Sequence, residues 1–133
     1  MVSQKVIRAA IEAYFSANNA LDVEGFVNAF APDASMYNVA EISPITGHEA
    51  IRQVARQMLL PCEETAVTMD KIFITGNGAA IFYSGHLTAK NGRTAQVEGI
   101  DVFEVNDEGK IQSIRLYFGP NPAVAALYEE AAK

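Results

Sequence analysis

The sequence predicts an α+β fold: three N-terminal helices packed on a curved antiparallel β-sheet that rolls into a cone with one open mouth. Three observations carry this. Apolar residues recur at helical spacing as far as Leu59, and from Thr65 onward the period falls to two, broken by short turns rich in Gly and Asn. The length, 133 residues, is enough for one core and too little for two, so residues 1–133 are read as a single domain.

Ser3 caps the first predicted helix, whose apolar face is made by Val6, Ile7, Ala10, Ile11, Tyr14 and Phe15. Asp22 caps a shorter helix that turns Val23, Phe26, Val27 and Phe30 inward and is stopped by Pro32. Ala34 to Val39 follows as a short strand. The chain turns through Ser43, Pro44, Ile45 and Thr46, and Gly47, His48 and Glu49 open a third helix. Ile51, Val54, Ala55, Met58 and Leu59 share one side of it, and Pro61 ends it.

Turns at Gly76-Asn77-Gly78, Asn91-Gly92 and Asn106-Asp107-Glu108-Gly109 then divide the remainder into long strands of an antiparallel meander. Ile72, Ile74, Ile100 and Val102 are assigned to the face away from Asp101, and a half-apolar outer face predicts a homodimer. Residues from Ala123 to Ala132 read as a terminal helix, either capping the mouth or fraying.

Composition narrows the function. With 50% hydrophobic and 20% charged residues the chain is an ordered globular protein. A formal net charge of -6, with ten scattered Lys and Arg, excludes a phosphate-backbone partner, so no nucleic acid is expected. No run approaches the roughly 20 apolar residues of a membrane span, and the N-terminus reads as a helix, so a cytoplasmic location is expected. Cys62, the single cysteine, has no Cys or His at metal-ligand spacing and reads as a small apolar residue. Without a phosphate loop, a nucleophile elbow or a metal-binding run, neither cofactor nor metal is implied.

The chemistry lies with Asp101. It shares a strand face with Ala95, Val97, Gly99, Phe103 and Val105, so its carboxyl is surrounded by apolar side chains. Burial favours the protonated form, which is a hydrogen-bond donor. Tyr14, on the inward stripe of the first helix, supplies a second buried hydroxyl, and two such donors facing one pocket hold an oxyanion. The alternatives are a core tyrosine bonded locally, and an Asp101 that pairs with Arg115 or is turned outward by a bulge.

The segments from Ile11 to His48 and from Glu98 to Phe118 resemble the bacterial ketosteroid isomerases. The matching stretches are Ala13-Tyr14, Ala34-Ser35-Met36, Pro44-Ile45-Thr46-Gly47-His48-Glu49, Ile100-Asp101-Val102-Phe103 and Asp107-Glu108-Gly109-Lys110-Ile111-Gln112. The chain is therefore identified as a ketosteroid-isomerase-like or SnoaL-like member of the nuclear-transport-factor-two-like superfamily, with its cystatin-like cone. The resemblance implies an oxyanion hole of Tyr14 and a protonated Asp101. It also implies an apolar pocket wall to which Phe30, Met36, Met58, Phe103 and Phe118 contribute.

Asn38 stands where the family has its proton-shuttling aspartate, and a carboxamide is no general base near neutral pH. Phe30 and Ala55 stand where some members carry tyrosines that support the oxyanion-hole tyrosine. Glu41, His48, His86 and Glu98 are the titratable candidates for a replacement base, with His48 read as a surface residue of a first helical turn. The resemblance thus implies a steroid Δ-isomerase-like protein that acts on or binds a small carbonyl or phenolic molecule. The alternatives are a non-catalytic binding module, a polyketide cyclase or dehydratase-like enzyme, and, last, a protein-interaction module.

Overall fold

The computed structural model describes residues 2–38 and 43–131. Its elements are α1 (Gln4–Asn19), α2 (Val23–Asn28), β1 (Phe30–Asn38), β2 (Ile45–Thr46), α3 (His48–Leu59), β3 (Cys62–Thr75), β4 (Gly78–Ala89), β5 (Thr94–Val105), β6 (Ile111–Tyr117) and α4 (Pro122–Ala131). Val39, Glu41 and Ala132 of the expected elements lie outside the described residues.

The helices begin where their caps dictate. The Ser3 hydroxyl accepts the Val6 N–H at 3.2 Å and the Asp22 carboxylate accepts the Gly25 N–H at 3.0 Å, each satisfying an orphan amide of a first turn. One boundary differs from expectation. α2 stops at Asn28, and Phe30 and Pro32 belong to β1. Pro32 is tolerated because the β1–β6 register shifts between Phe30 and Ser35, so no ladder bond is demanded of it. Phe30 is still buried, at 1% exposure.

The six strands are ordered β2-β1-β6-β5-β4-β3. β3 to β6 form the antiparallel meander, and its last strand lies parallel to β1, which brings the N-terminal third of the chain into the same sheet. α1, α2 and α3 cover the concave face, where Ile7, Ile11, Phe26, Ile51, Ile81, Ile111 and Ile114 are fully buried. Each such side chain contributes about 1.5–3 kcal/mol by leaving water.

The register corrects the assignment of Ile72 and Ile74 to the outer face. Ile72 pairs with Ile81, which pairs with Asp101, while Ile74 pairs with Ala79, which pairs with Phe103; all lie on the concave face. The cause is a bulge between Met69 and Lys71, whose extra residue reverses the in-out alternation of β3. The convex face is nonetheless half apolar, through Phe73, Phe82, Ile100, Val102 and Tyr117.

Sheet curl depends on Gly85. A Cβ there would collide with the carbonyl oxygen of Ala66 and lie 2.7 Å from the Cα of Val67, so β3 folds over β4 only because the side chain is missing. At the far end of the concave face α4 docks Leu127, with 0% exposure, beside Leu87 and Ala95. The Tyr128 hydroxyl donates to the Met58 carbonyl at 3.0 Å, tying α4 to the end of α3, so the terminal helix is a packed cap.

Candidate functional site

Three strands and one helix bring the site together. Asn38, Leu116, Asp101, Ile81 and Ile72 form one cross-strand row on the concave face. Asn38 and Asp101 are separated by two strand spacings, about 10 Å. Asp101 is 3% exposed as a residue, and the two alternatives weighed for it fail on geometry. β5 runs without a bulge through Asp101, and Arg115 lies on the convex face with its guanidinium 4.1 Å from the centre of the Tyr37 ring.

α1 delivers Tyr14 to the same region. Its ring is held by Phe15 (5.1 Å between centres), Phe26 (4.9 Å), Phe30 (5.9 Å) and Phe103 (5.3 Å), and the residue is 6% exposed. β4 adds Tyr83, which pairs with Gly99, two residues before Asp101 on the same face. Among the described residues no hydrogen bond involves the Tyr14 or Tyr83 hydroxyl or the Asp101 carboxyl.

The electrostatics follow from burial. Desolvation lifts the Asp101 carboxyl from 3.8 to about 7. Tyr14 is raised well above the ordinary phenol value, first by burial and then by the neighbouring Asp101 and Tyr83. Tyr83 is raised to about 12 by burial and by Asp101. Near neutral pH both phenols keep their protons, and Asp101 is poised between its two forms.

The other candidates separate cleanly. Met58 is half-buried against the main core, with its carbonyl tied to Tyr128 of α4, whereas Phe30, Met36 and Phe103, at 1% exposure each, are core residues. Phe118 is a correction. It is 52% exposed beyond the end of β6 and lines a convex-side groove of about 370 Å³ with Phe82, Ile100 and Tyr117. β6 pairs with β5 only as far as Tyr117, so nothing holds the alternation at Phe118, and Leu116 takes the inward place. His48 opens the first turn of α3 and is half-buried rather than free at the surface, its Nε2 meeting the Phe30 carbonyl oxygen at 2.8 Å and pinning α3 to β1. His86 and Glu98 lie on the convex side, where His86 contacts Glu64 at 2.8 Å, and Glu41 lies outside the described residues. Neither His86 nor Glu98 faces Asp101.

Among the described residues no cluster of three or more His, Cys, Asp or Glu side chains is placed to hold a metal. No helix is long and apolar enough to cross a membrane.

The sequence profile of the SnoaL-like domain matches residues 11–114, most of the chain and every strand of the site. This protein belongs to the SnoaL-like family. Solved structures agree on the fold at low identity. Similar ones are the epoxide hydrolase/cyclase-like enzyme SalBIII of pyran ring formation in the polyether salinomycin (22% identity, TM-score 0.79, covering 90% of this chain and 95% of that one) and RV0760c from Mycobacterium tuberculosis (22%, 0.78, 90% and 95%). A computationally designed 17-OHP binder shares it as well (23%, 0.76, 86% and 93%).

Within this SnoaL-like cone, the residue that sequence reasoning missed is Tyr83. Its signal was present: a tyrosine two positions from Ile81 on an alternating strand, opposite a strand glycine. Finding it required the β4–β5 register, which the turn at Asn91-Gly92 alone leaves open. Thr65 was missed too; its buried hydroxyl has no partner in the structure and lies in the row of Leu87 and Ala95, toward α4.

Proposed function

We propose that this protein binds a small, largely apolar molecule through a carbonyl or phenolic oxygen, with Tyr14 and protonated Asp101 as donors, and acts on it as an isomerase-like enzyme. The observation that carries the reading is a phenol and a carboxyl, on residues 6% and 3% exposed, that share one concave surface and have no protein hydrogen bond among the described residues. A polar group with no protein partner is satisfied by water or by a ligand, so two of them on one largely buried surface support a ligand oxygen that completes them.

The chemistry follows from the donors. As a proton leaves the carbon next to a bound carbonyl, negative charge moves onto the oxygen. Donors fixed in an apolar setting stabilise that charge more than they stabilise the neutral ketone. Asn38, on the Asp101 row, orients the substrate but takes no proton, so the proton passes to water or to a group of the substrate itself.

A second reading, a binding module without turnover, is favoured by Asn38. The fold serves both roles elsewhere, in the SalBIII enzyme and in the designed 17-OHP binder. The convex apolar face of Phe73, Phe82 and Ile100 further supports pairing of two copies sheet to sheet.

The test is the isomerisation of a β,γ-unsaturated ketosteroid, followed by the absorbance of the conjugated enone, for the unaltered protein and for Asn38→Asp. A placed base is expected to raise the rate about 10²-fold or more. If neither protein exceeds the uncatalysed rate but both bind the steroid, the binding-module reading stands. Undiminished steroid affinity in Asp101→Leu would remove the oxygen site altogether.

A further inference from the structure

Tyr83 stands in a place made for it. Its hydroxyl lies 2.6 Å from the point where a Cβ on Gly99 would sit, so the glycine supplies the space that the phenol occupies. Gly99 is also its register partner, which makes Asp101 its diagonal neighbour across the β4–β5 ladder. Such neighbours are about 7–8 Å apart at Cα, within reach of a long aromatic side chain. The Phe15 ring, 6.3 Å away between centres, fixes the other side. A phenylalanine would fill this space equally well, so the hydroxyl is not needed for packing. Yet among the described residues it has no hydrogen-bond partner.

We infer that Tyr83 is a third donor to the bound oxygen, and that three donors from α1, β4 and β5 make the site select an oxyanion over a neutral carbonyl. This rests on the oxygen-binding reading above and deepens it. A ketone oxygen offers two lone pairs and leaves one of three donors unmatched, whereas an enolate or phenolate offers three. An unmatched buried donor carries a desolvation penalty, and a charged acceptor strengthens every bond it receives. The substrate class is therefore a molecule that is, or becomes, an enolate or phenolate. With Asp101 protonated, each member of the trio has one O–H to donate, and a deprotonated ligand oxygen is the acceptor that can take all three.

The experiment measures binding of 4-nitrophenol, through its phenolate absorbance, and of neutral 4-nitroacetophenone, by calorimetry. The proteins are the unaltered chain, Tyr83→Phe and Tyr14→Phe. Loss of one charge-assisted hydrogen bond weakens phenolate binding by about tenfold or more in Tyr83→Phe, with less than about a threefold change for the ketone. Tyr83→Leu, which also removes the hydroxyl and sets nothing against the Tyr117 carbonyl oxygen beside Gly99, is expected to show the same selective loss. It carries the test if Tyr83→Phe proves misfolded by circular dichroism. Equal loss for both probes, or loss in Tyr14→Phe with none in Tyr83→Phe, overturns the inference and leaves the oxygen site standing. Failure of the unaltered protein to hold either probe overturns both.

Discussion

Replacing Asp101 with Asn is expected to flatten the pH dependence of folding stability. Burial alone lifts the Asp101 carboxyl to about 7 in the fold, while in the unfolded chain it returns to about 3.9. Between those values the native state holds a proton that the unfolded chain has released, so raising the pH draws the equilibrium toward unfolding. The stabilisation is complete below about pH 4 and is lost as the pH climbs through about 7. At about 1.4 kcal/mol for each pH unit, that interval comes to about 4 kcal/mol, a large share of the 5–15 kcal/mol typical of a domain. The chain has no tryptophan, so urea unfolding is best followed by far-ultraviolet circular dichroism, for both proteins at about pH 4 and about pH 8. Subtracting one protein from the other cancels the carboxylates they share. The stability of the unaltered protein relative to Asp101→Asn should fall by about 4 kcal/mol from the lower to the higher pH. A difference constant to within about 1 kcal/mol would show a carboxyl that is ionised or solvated in the fold, and the argument for a neutral donor would fail with it.

Two further outcomes follow from the sheet. Gly85→Ala sets a methyl group against the backbone of Ala66 and Val67, which cannot move aside as a side chain would, so a loss of about 3 kcal/mol or more in urea unfolding is expected, and a loss below about 1 kcal/mol would contradict the close approach. If two copies pair through the convex face, Ile100→Lys, at a position 43% exposed, should convert a dimer to a monomer in sedimentation without changing the circular dichroism spectrum; a monomeric unaltered protein would remove that proposal.

How much of this was legible in the sequence depends on which residues set the structure. Ser3, Asp22 and the glycine turns act locally, and the helices and hairpins began where those residues said they would. Asp101 was also legible, because strict alternation from Ala95 to Val105 leaves one carboxyl in an apolar row. What was not legible came from register. The bulge after Met69 moves Ile72 and Ile74 to the concave face, and nothing in the local sequence announces it, since Asp70 is an ordinary strand-surface residue until its Oδ atoms are seen to meet the Thr68 hydroxyl at 3.1 Å and the Ser84 hydroxyl at 2.5 Å. Phe118 failed for the same kind of reason, because alternation holds only while a neighbouring strand enforces it.

Apart from the unpaired Thr65 hydroxyl toward α4, the departures from ordinary packing coincide in space, and that is the strongest argument for a site. Most of the concave face follows the rules of a protein core, with apolar side chains buried and backbone groups paired. In one region a carboxyl and two phenols have no protein hydrogen bond among the described residues, and strand glycines at positions 85 and 99 weaken the strands to make room for sheet curl and for Tyr83. Each of these lowers stability on its own, Asp101 above neutral pH most of all. Scattered over the molecule they would be unconnected defects. Gathered on neighbouring positions of β4 and β5, opposite Tyr14, they support the proposed oxygen site, since a ligand that completed the donors would recover part of the stability they forgo.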